Sequence, residues 1–119
     1  MNLISTRVIT TDVARLIGFY EGLTGLSATR YTPEFAEIGT GAARLAIAGA
    51  GTVPPFVAPD EKILEFLVAD VDAVEQRDGM LMPPTTMPWG NRSMLLRDPD
   101  GTLINVFTPV TEAARARFR

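Results

Sequence analysis

The sequence repeats itself once, and that repeat is the strongest constraint on its fold. Val8-Ile9-Thr10-Thr11-Asp12-Val13-Ala14-Arg15-Leu16 is echoed by Phe66-Leu67-Val68-Ala69-Asp70-Val71-Asp72-Ala73-Val74, an offset of 58 residues from Asp12 to Asp70 (70 − 12). Each segment is an apolar, strand-like run ending in an Asp that can cap a first helical turn. A second echo closes each half: Gly39-Thr40-Gly41-Ala42-Ala43-Arg44-Leu45-Ala46-Ile47 against Asp98-Pro99-Asp100-Gly101-Thr102-Leu103-Ile104-Asn105-Val106, a tight turn feeding an alternating strand. No shorter period occurs, so this is one duplication and not a solenoid. Each half is too small for a good core of its own. The expectation is therefore one domain of two βαβββ modules with a site between them.

The pattern along the chain supplies the elements. Leu3 to Thr10 reads as a strand, and Thr11 and Asp12 can cap a helix through Val13, Leu16, Ile17, Phe19, Tyr20 and Leu23, with Phe19 and Tyr20 in the core. Thr24-Gly25 ends that helix, since glycine accepts the left-handed C-cap. Strands are expected near 26–31, 34–39 and 43–48, with turns at Thr32-Pro33 and Gly39-Thr40-Gly41. Module one thus covers about 1–48, and the Gly/Pro-rich stretch of about 49–61 is a linker. Module two, about 62–108, opens with a strand over Ile63–Ala69 and a short helix capped by Asp70 that ends by Asp78-Gly79. Prolines make 80–88 at best an irregular edge strand. Asn91–Arg97 and Thr102–Thr108 form a hairpin around Asp98-Pro99-Asp100-Gly101, and a small helix follows over about 110–119.

Composition removes several classes of function. A net charge of −3 with scattered basic residues points to neither nucleic acid nor an anionic membrane as partner. The chain has no cysteine, hence no disulfide, thiolate nucleophile or sulfur metal site. No apolar run approaches the roughly 18 residues of a membrane span, and the first residues lack the regions of a signal peptide. The expected location is the cytoplasm. There is no nucleophile elbow, phosphate loop or dinucleotide fingerprint, and Asp98-Pro99-Asp100-Gly101 is a turn and not a metal loop.

Asp12-Val13 followed by Phe19-Tyr20 and Gly25-Leu26, together with Phe66-Leu67-Val68-Ala69-Asp70-Val71, Pro88-Trp89-Gly90-Asn91-Arg92 and Arg97-Asp98-Pro99-Asp100-Gly101, resembles the vicinal oxygen chelate superfamily of glyoxalases, bleomycin-type resistance proteins and extradiol dioxygenases. The resemblance spans nearly the whole chain. It implies an α+β fold of two βαβββ modules related by a pseudo-twofold, with mixed sheets curled around a shared cavity, and commonly a homodimer. Metal-dependent members of that family place histidines seven residues before each capping Asp and a carboxylate four residues after the turn glycine. Those positions here, with the module-one counterpart of the last, are Ser5, Ile63, Asn105 and Ala46. The chain holds no histidine, and isoleucine and alanine have no side-chain lone pair, so no metal and no other cofactor is expected.

Alternation sorts the remaining candidates, with the former metal positions taken as facing the cavity. Ser5, Arg7 and Ile9, then Arg44, Ala46 and Ala48, then Ile63, Glu65 and Leu67, then Leu103, Asn105 and Phe107 face inward. Arg7 and Glu65 are equivalent in the two halves. They form either a structural ion pair or a polar clamp for a ligand carboxylate, phenolate or amine. Trp89 is either a packing plug or a stacking wall for a planar ligand. Met80, Met82, Met87 and Met94 are gap-fillers that also suit varied apolar ligands. The ligand-binding set is therefore Ser5, Arg7, Ala46, Ile63, Glu65, Trp89, Asn105 and Phe107. The leading expectation is a metal-free protein that sequesters or carries an apolar or aromatic small molecule, as the resemblance to resistance members implies. The competing expectation is a metal-independent lyase or isomerase with Glu65 or Glu37 as general base and Arg7 stabilising an oxyanion.

Overall fold

The computed structural model describes residues 1–39, 43–75, 78–97 and 99–118. Most of the expected Gly39-Thr40-Gly41 turn, and Asp98 of the second turn, lie outside the described residues. The chain is α+β and forms two compact units, one of Ile4–Ile63 and one of Leu64–Arg119 with Met1–Leu3. The segment expected as a linker belongs to the first unit.

In the first unit β1 (Asn2–Thr10) leads into α1 (Val13–Thr24), followed by β2 (Thr29–Thr32), β3 (Phe35–Gly39) and β4 (Arg44–Gly49). The strands lie in the order β2-β3-β4-β1, with β1 parallel to β4 and the other neighbours antiparallel, so the sheet is mixed. Asp12 caps α1 by accepting from the Arg15 backbone N–H, and Gly25 closes it at φ 72°. Val13 and Ile17 of α1 are buried against Ala36 and Ile47, with Leu16, Tyr20, Ala28 and Leu45 around them. Phe19 is not in this core: it is 60% exposed. At 3.6 residues per turn it lies about 100° or more around the helix from the Val13–Ile17–Tyr20 stripe, so its ring only edges Tyr20, at 5.1 Å between centroids. Glu21 fastens the end of α1 to β2, accepting from Arg30 and from the Ala28 N–H, and the Arg30 bond holds its carboxyl below the usual range.

The second unit repeats the topology. β5 (Lys62–Leu67) is followed by β6 (Met80–Thr86), β7 (Asn91–Arg97), β8 (Leu103–Pro109) and α2 (Glu112–Arg117), and the strand order is β5-β8-β7-β6. The short helix expected after Asp70 is instead a single 3₁₀ turn over Val71–Ala73; Gln76 and Arg77 of the expected helix lie outside the described residues. Asp70 still caps, accepting from the Asp72 N–H, but only Val71 and Val74 offer apolar anchors before Gly79. Two valines, each a weak helix former, do not offset the cost of nucleating a helix. The turn is stitched down by Thr108, whose hydroxyl accepts from the Val71 N–H and donates to the Val68 carbonyl. Val68, Val71, Met94 and Val106 are the core there, with Val74, Met80, Leu96 and Ile104 packed against it. β6 is an edge strand with register shifts on either side of Met82, which is how a strand holding Pro83 and Pro84 still pairs with β7. No helix among the described residues is long and apolar enough to cross a membrane.

The turns and the surface ion pairs can be tested separately. Gly25 and Gly90 both have positive φ, but a Cβ at Gly25 would meet open space, whereas one at Gly90 would run into the Thr111 hydroxyl that caps α2. Gly25→Ala is expected to cost about 1 kcal/mol and Gly90→Ala on the order of 3 kcal/mol, read from urea midpoints. Asp72 accepts two hydrogen bonds from Arg92, at 2.7 and 2.9 Å, and the first effect of that pairing is to hold its carboxyl below the usual range. A carboxyl depressed in the folded state stabilises above its unfolded pKa and loses that contribution as pH falls through the folded value. The stability difference between wild type and Asp72→Asn is therefore expected to be present near about pH 7, small because the pair is exposed, and gone by about pH 2.

Candidate functional site

In the first unit, α1 and its apolar partners Ala36, Leu45 and Ile47 occupy one face of the sheet. Strand alternation then puts Arg7, Ala46 and Glu37 on the other face. They form one row, since Arg7 is the register partner of Ala46 and Ala46 that of Glu37. Neighbouring strands are about 4.8 Å apart, so Arg7 and Glu37 stand about 10 Å apart at the backbone with only a methyl group between them. Ala46 is fully buried and Glu37 is 7% exposed, while Arg7 is half-buried. The next row, Phe35, Ala48 and Ile9, is apolar, and Phe35 is stacked at 5.8 Å with Tyr31. The face that Glu37 takes is decided by this register. Ser5 lies on β1 and is half-buried, and Ile63 on β5 is buried.

In the second unit the 3₁₀ turn and its cluster take one face, with Met94 opposite Val106 and Leu96 opposite Ile104. The other face carries Leu103, Asn105 and Phe107 from β8 and Asn91, Ser93 and Leu95 from β7, paired as Phe107 with Ser93 and Asn105 with Leu95. All six are buried. Glu65 of β5 is buried at 8% exposure and accepts a hydrogen bond from Asn105 Nδ2 at 2.8 Å. The other end of that amide, Asn105 Oδ1, is buried and has no hydrogen-bond partner among the described residues. The Phe107 ring is covered by Phe118, which follows α2, at 5.2 Å between centroids. Trp89 is 45% exposed in the turn between β6 and β7, so it is not a buried plug.

The structure thus joins Asn105 to Glu65, sets Phe107 on the same face as Asn105, and aligns Arg7, Ala46 and Glu37. Trp89 stands in the turn between β6 and β7. Ser93, Asn91 and Phe118 escaped the sequence reading. The hairpin turn after Arg97 would have supplied the first two, because it fixes which β7 residues oppose Asn105 and Phe107; nothing local marks Phe118.

The four positions that the resemblance assigns to metal ligands fit a divalent ion poorly. Ala46 and Ile63 have no donor atom, Ser5 offers a neutral hydroxyl, and Asn105 a neutral amide oxygen, too few and too weak to hold a divalent ion. Among the described residues no three His, Cys, Asp or Glu side chains gather in a group able to hold a metal ion.

The sequence model of the Glyoxalase/Bleomycin resistance protein/Dioxygenase superfamily matches residues 2–106. No curated protein matches the chain. Among solved structures, one described as an NAD-dependent benzaldehyde dehydrogenase from Legionella pneumophila superposes with TM-score 0.72 at 20% identity, covering 88% of this chain and 97% of that one. A glyoxalase/bleomycin resistance protein/dioxygenase superfamily member from Vibrio splendidus 12B01 gives 0.68 at 13% identity, covering 87% and 96%. A variant of the methylmalonyl-CoA epimerase of Streptomyces coelicolor, in complex with 2-nitronate-propionyl-CoA, gives 0.66 at 18% identity, covering 93% and 99%. At these identities the likeness is one of fold.

The buried amide–carboxylate bond generates its own prediction. Asn105→Leu keeps the side chain's size and removes the donor to Glu65. A hydrogen bond to a charged group contributes about 1.5–3 kcal/mol, so the variant is expected to lose that much. Combined with Glu65→Leu, the two losses should fall short of additive by about 1 kcal/mol in a double-mutant cycle followed by urea unfolding.

Proposed function

Since this chain belongs to the Glyoxalase/Bleomycin resistance protein/Dioxygenase superfamily, we propose that it binds a small apolar or aromatic molecule without a divalent metal, and sequesters or carries it unchanged. The observation that carries this reading is the chemistry at the former ligand positions. Where metal-dependent relatives have a carboxylate, this chain has Asn105, tied by its nitrogen to Glu65 and leaving a buried oxygen unmatched. An arrangement of that kind suits an organic ligand: apolar side chains such as Leu95, Leu103 and Phe107 supply most of the surface, and a few polar atoms, Asn105 Oδ1 among them, supply orientation. Arg7, Glu37 and Ser5 are further polar candidates, and Trp89 offers an exposed aromatic face. We further propose a cytoplasmic homodimer, with the irregular edge strand β6 and the exposed Phe56 available for contacts between copies.

A second reading, turnover without metal, draws on the two buried carboxylates Glu37 and Glu65. Either would act as the base, with Arg7 opposite the developing oxyanion. The fold likeness to an epimerase is compatible with both readings and favours neither.

One experiment separates them. The protein is purified gently, examined by native mass spectrometry for a co-purified molecule and by elemental analysis for metal. It is then incubated with that molecule, or with a panel of planar aromatic compounds, and the compound's mass and chirality are checked. Binding is expected at one molecule per chain, with well below one equivalent of metal and the compound recovered intact. A stoichiometric metal ion, or a compound recovered altered, would overturn the carrier reading.

A further inference from the structure

We infer that the Glu65–Asn105 pair makes this a site for ligands that donate a hydrogen bond, such as phenols, anilines and other compounds with an O–H or N–H on an apolar body. The inference rests on the binding role proposed above and specifies what that role accepts.

The orientation of an Asn amide is usually ambiguous, because its oxygen and nitrogen are nearly the same size. Here the neighbour removes the ambiguity. A carboxylate only accepts hydrogen bonds, and Glu65 Oε2 lies 2.8 Å from the Asn105 amide. Turning the amide over would set two oxygens against each other at that distance. Asn105 must therefore give its N–H to Glu65, and its Oδ1 must point elsewhere. That oxygen is buried and has no partner among the described residues, while Asn105 as a whole is only 5% exposed. A buried amide oxygen left unmatched is costly, and the group that relieves it has to be a donor.

The residues that flank Asn105 on β8 and face it on β7 supply no such donor, and Ser93, diagonal to it on the same face, makes no hydrogen bond to its Oδ1 among the described residues. Asn105 is flanked on its strand by Leu103 and Phe107 and paired across to Leu95, all apolar and buried. Arg97, two residues from Leu95 on the same face of β7, has its Nη1 directed to the Gly101 carbonyl. A ligand placed against this oxygen would meet a lone acceptor among apolar side chains, which favours donors over carboxylates. Glu65 acts through Asn105 as a positioning residue. It sets the polarity of the site, and the same amide without it would serve donors and acceptors alike.

The test uses the whole chain and five probes of nearly one shape: phenol, aniline, anisole, N,N-dimethylaniline and benzoate. Binding is followed by NMR titration, with the Asn105 side-chain N–H₂ signals as the local reporter. Phenol and aniline are expected to bind about tenfold or more tightly than anisole and N,N-dimethylaniline, with benzoate weakest. Asn105→Leu should erase the preference while leaving weak binding of all neutral probes. Glu65→Gln can donate as well as accept, so Asn105 is free to turn over. That variant should keep binding and cut the preference to about threefold or less, which a purely structural role for Glu65 would not produce. Its independent readout keeps the test decisive even if Asn105→Leu folds poorly. Equal affinity for phenol and anisole, or a preference that survives Glu65→Gln, overturns the inference and leaves the binding role standing. Failure of all five probes to perturb the protein overturns the binding role for aromatic ligands and this inference with it.

Discussion

A strand sends successive side chains to opposite faces, and in both units of this protein one face is sealed by apolar cover. In the first unit the cover is α1, through Val13 and Ile17 against Ala36 and Ile47. In the second it is the short turn at Val71, through Met94 and Val106. Because the register cannot slip by one residue without exposing those cores, the alternate positions are committed as a set. Arg7, Glu37, Glu65, Asn105 and Ser93 occupy such positions. The polar chemistry of the chain is thus a by-product of where its hydrophobic stripes had to go.

What distinguishes those polar positions is that so many are buried. Glu37, Glu65, Asn91, Ser93 and Asn105 are all less than a tenth exposed. Buried polar groups are tolerated when they are hydrogen-bonded, and the Asn105–Glu65 bond at 2.8 Å meets that condition on one side only. A half-satisfied amide is a poor device for stability, since two apolar residues of the same shape in place of both Asn105 and Glu65 would do as well or better. Its presence at a position where metal-dependent relatives keep a ligand is easier to understand if something else completes it. That is the physical link between this local geometry and a binding role.

The superfamily match covers residues 2–106, and a shared fold does not by itself carry a shared chemistry. At the positions the resemblance assigns to metal ligands, Ile63 and Ala46 offer no donor atom, and Ser5 and Asn105 offer a hydroxyl and an amide. The apolar alternation that builds the sheets does not depend on what stands at those four positions.

By itself the sequence determined most of the strands and the caps. Asn91–Arg97 reads directly as β7, Asp12 and Gly25 bracket α1, and the apolar alternation of Leu103 to Phe107 fixes which side of β8 is covered. These are local matters of period and capping, and they leave their mark within a few residues. Three things needed the tertiary structure. Asp70 carries the same capping signal as Asp12, yet only one turn forms, because helix growth depends on apolar anchors that packing must supply. Phe19 has the hydropathy of a core residue but lies off the stripe that meets the sheet. Glu37 could be assigned a face only once its pairing with Ala46 was known, and the bond from Asn105 to Glu65 spans 40 residues that no local pattern relates. Periodicity tells a residue which way to point along its own strand; only long-range pairing decides what it points at.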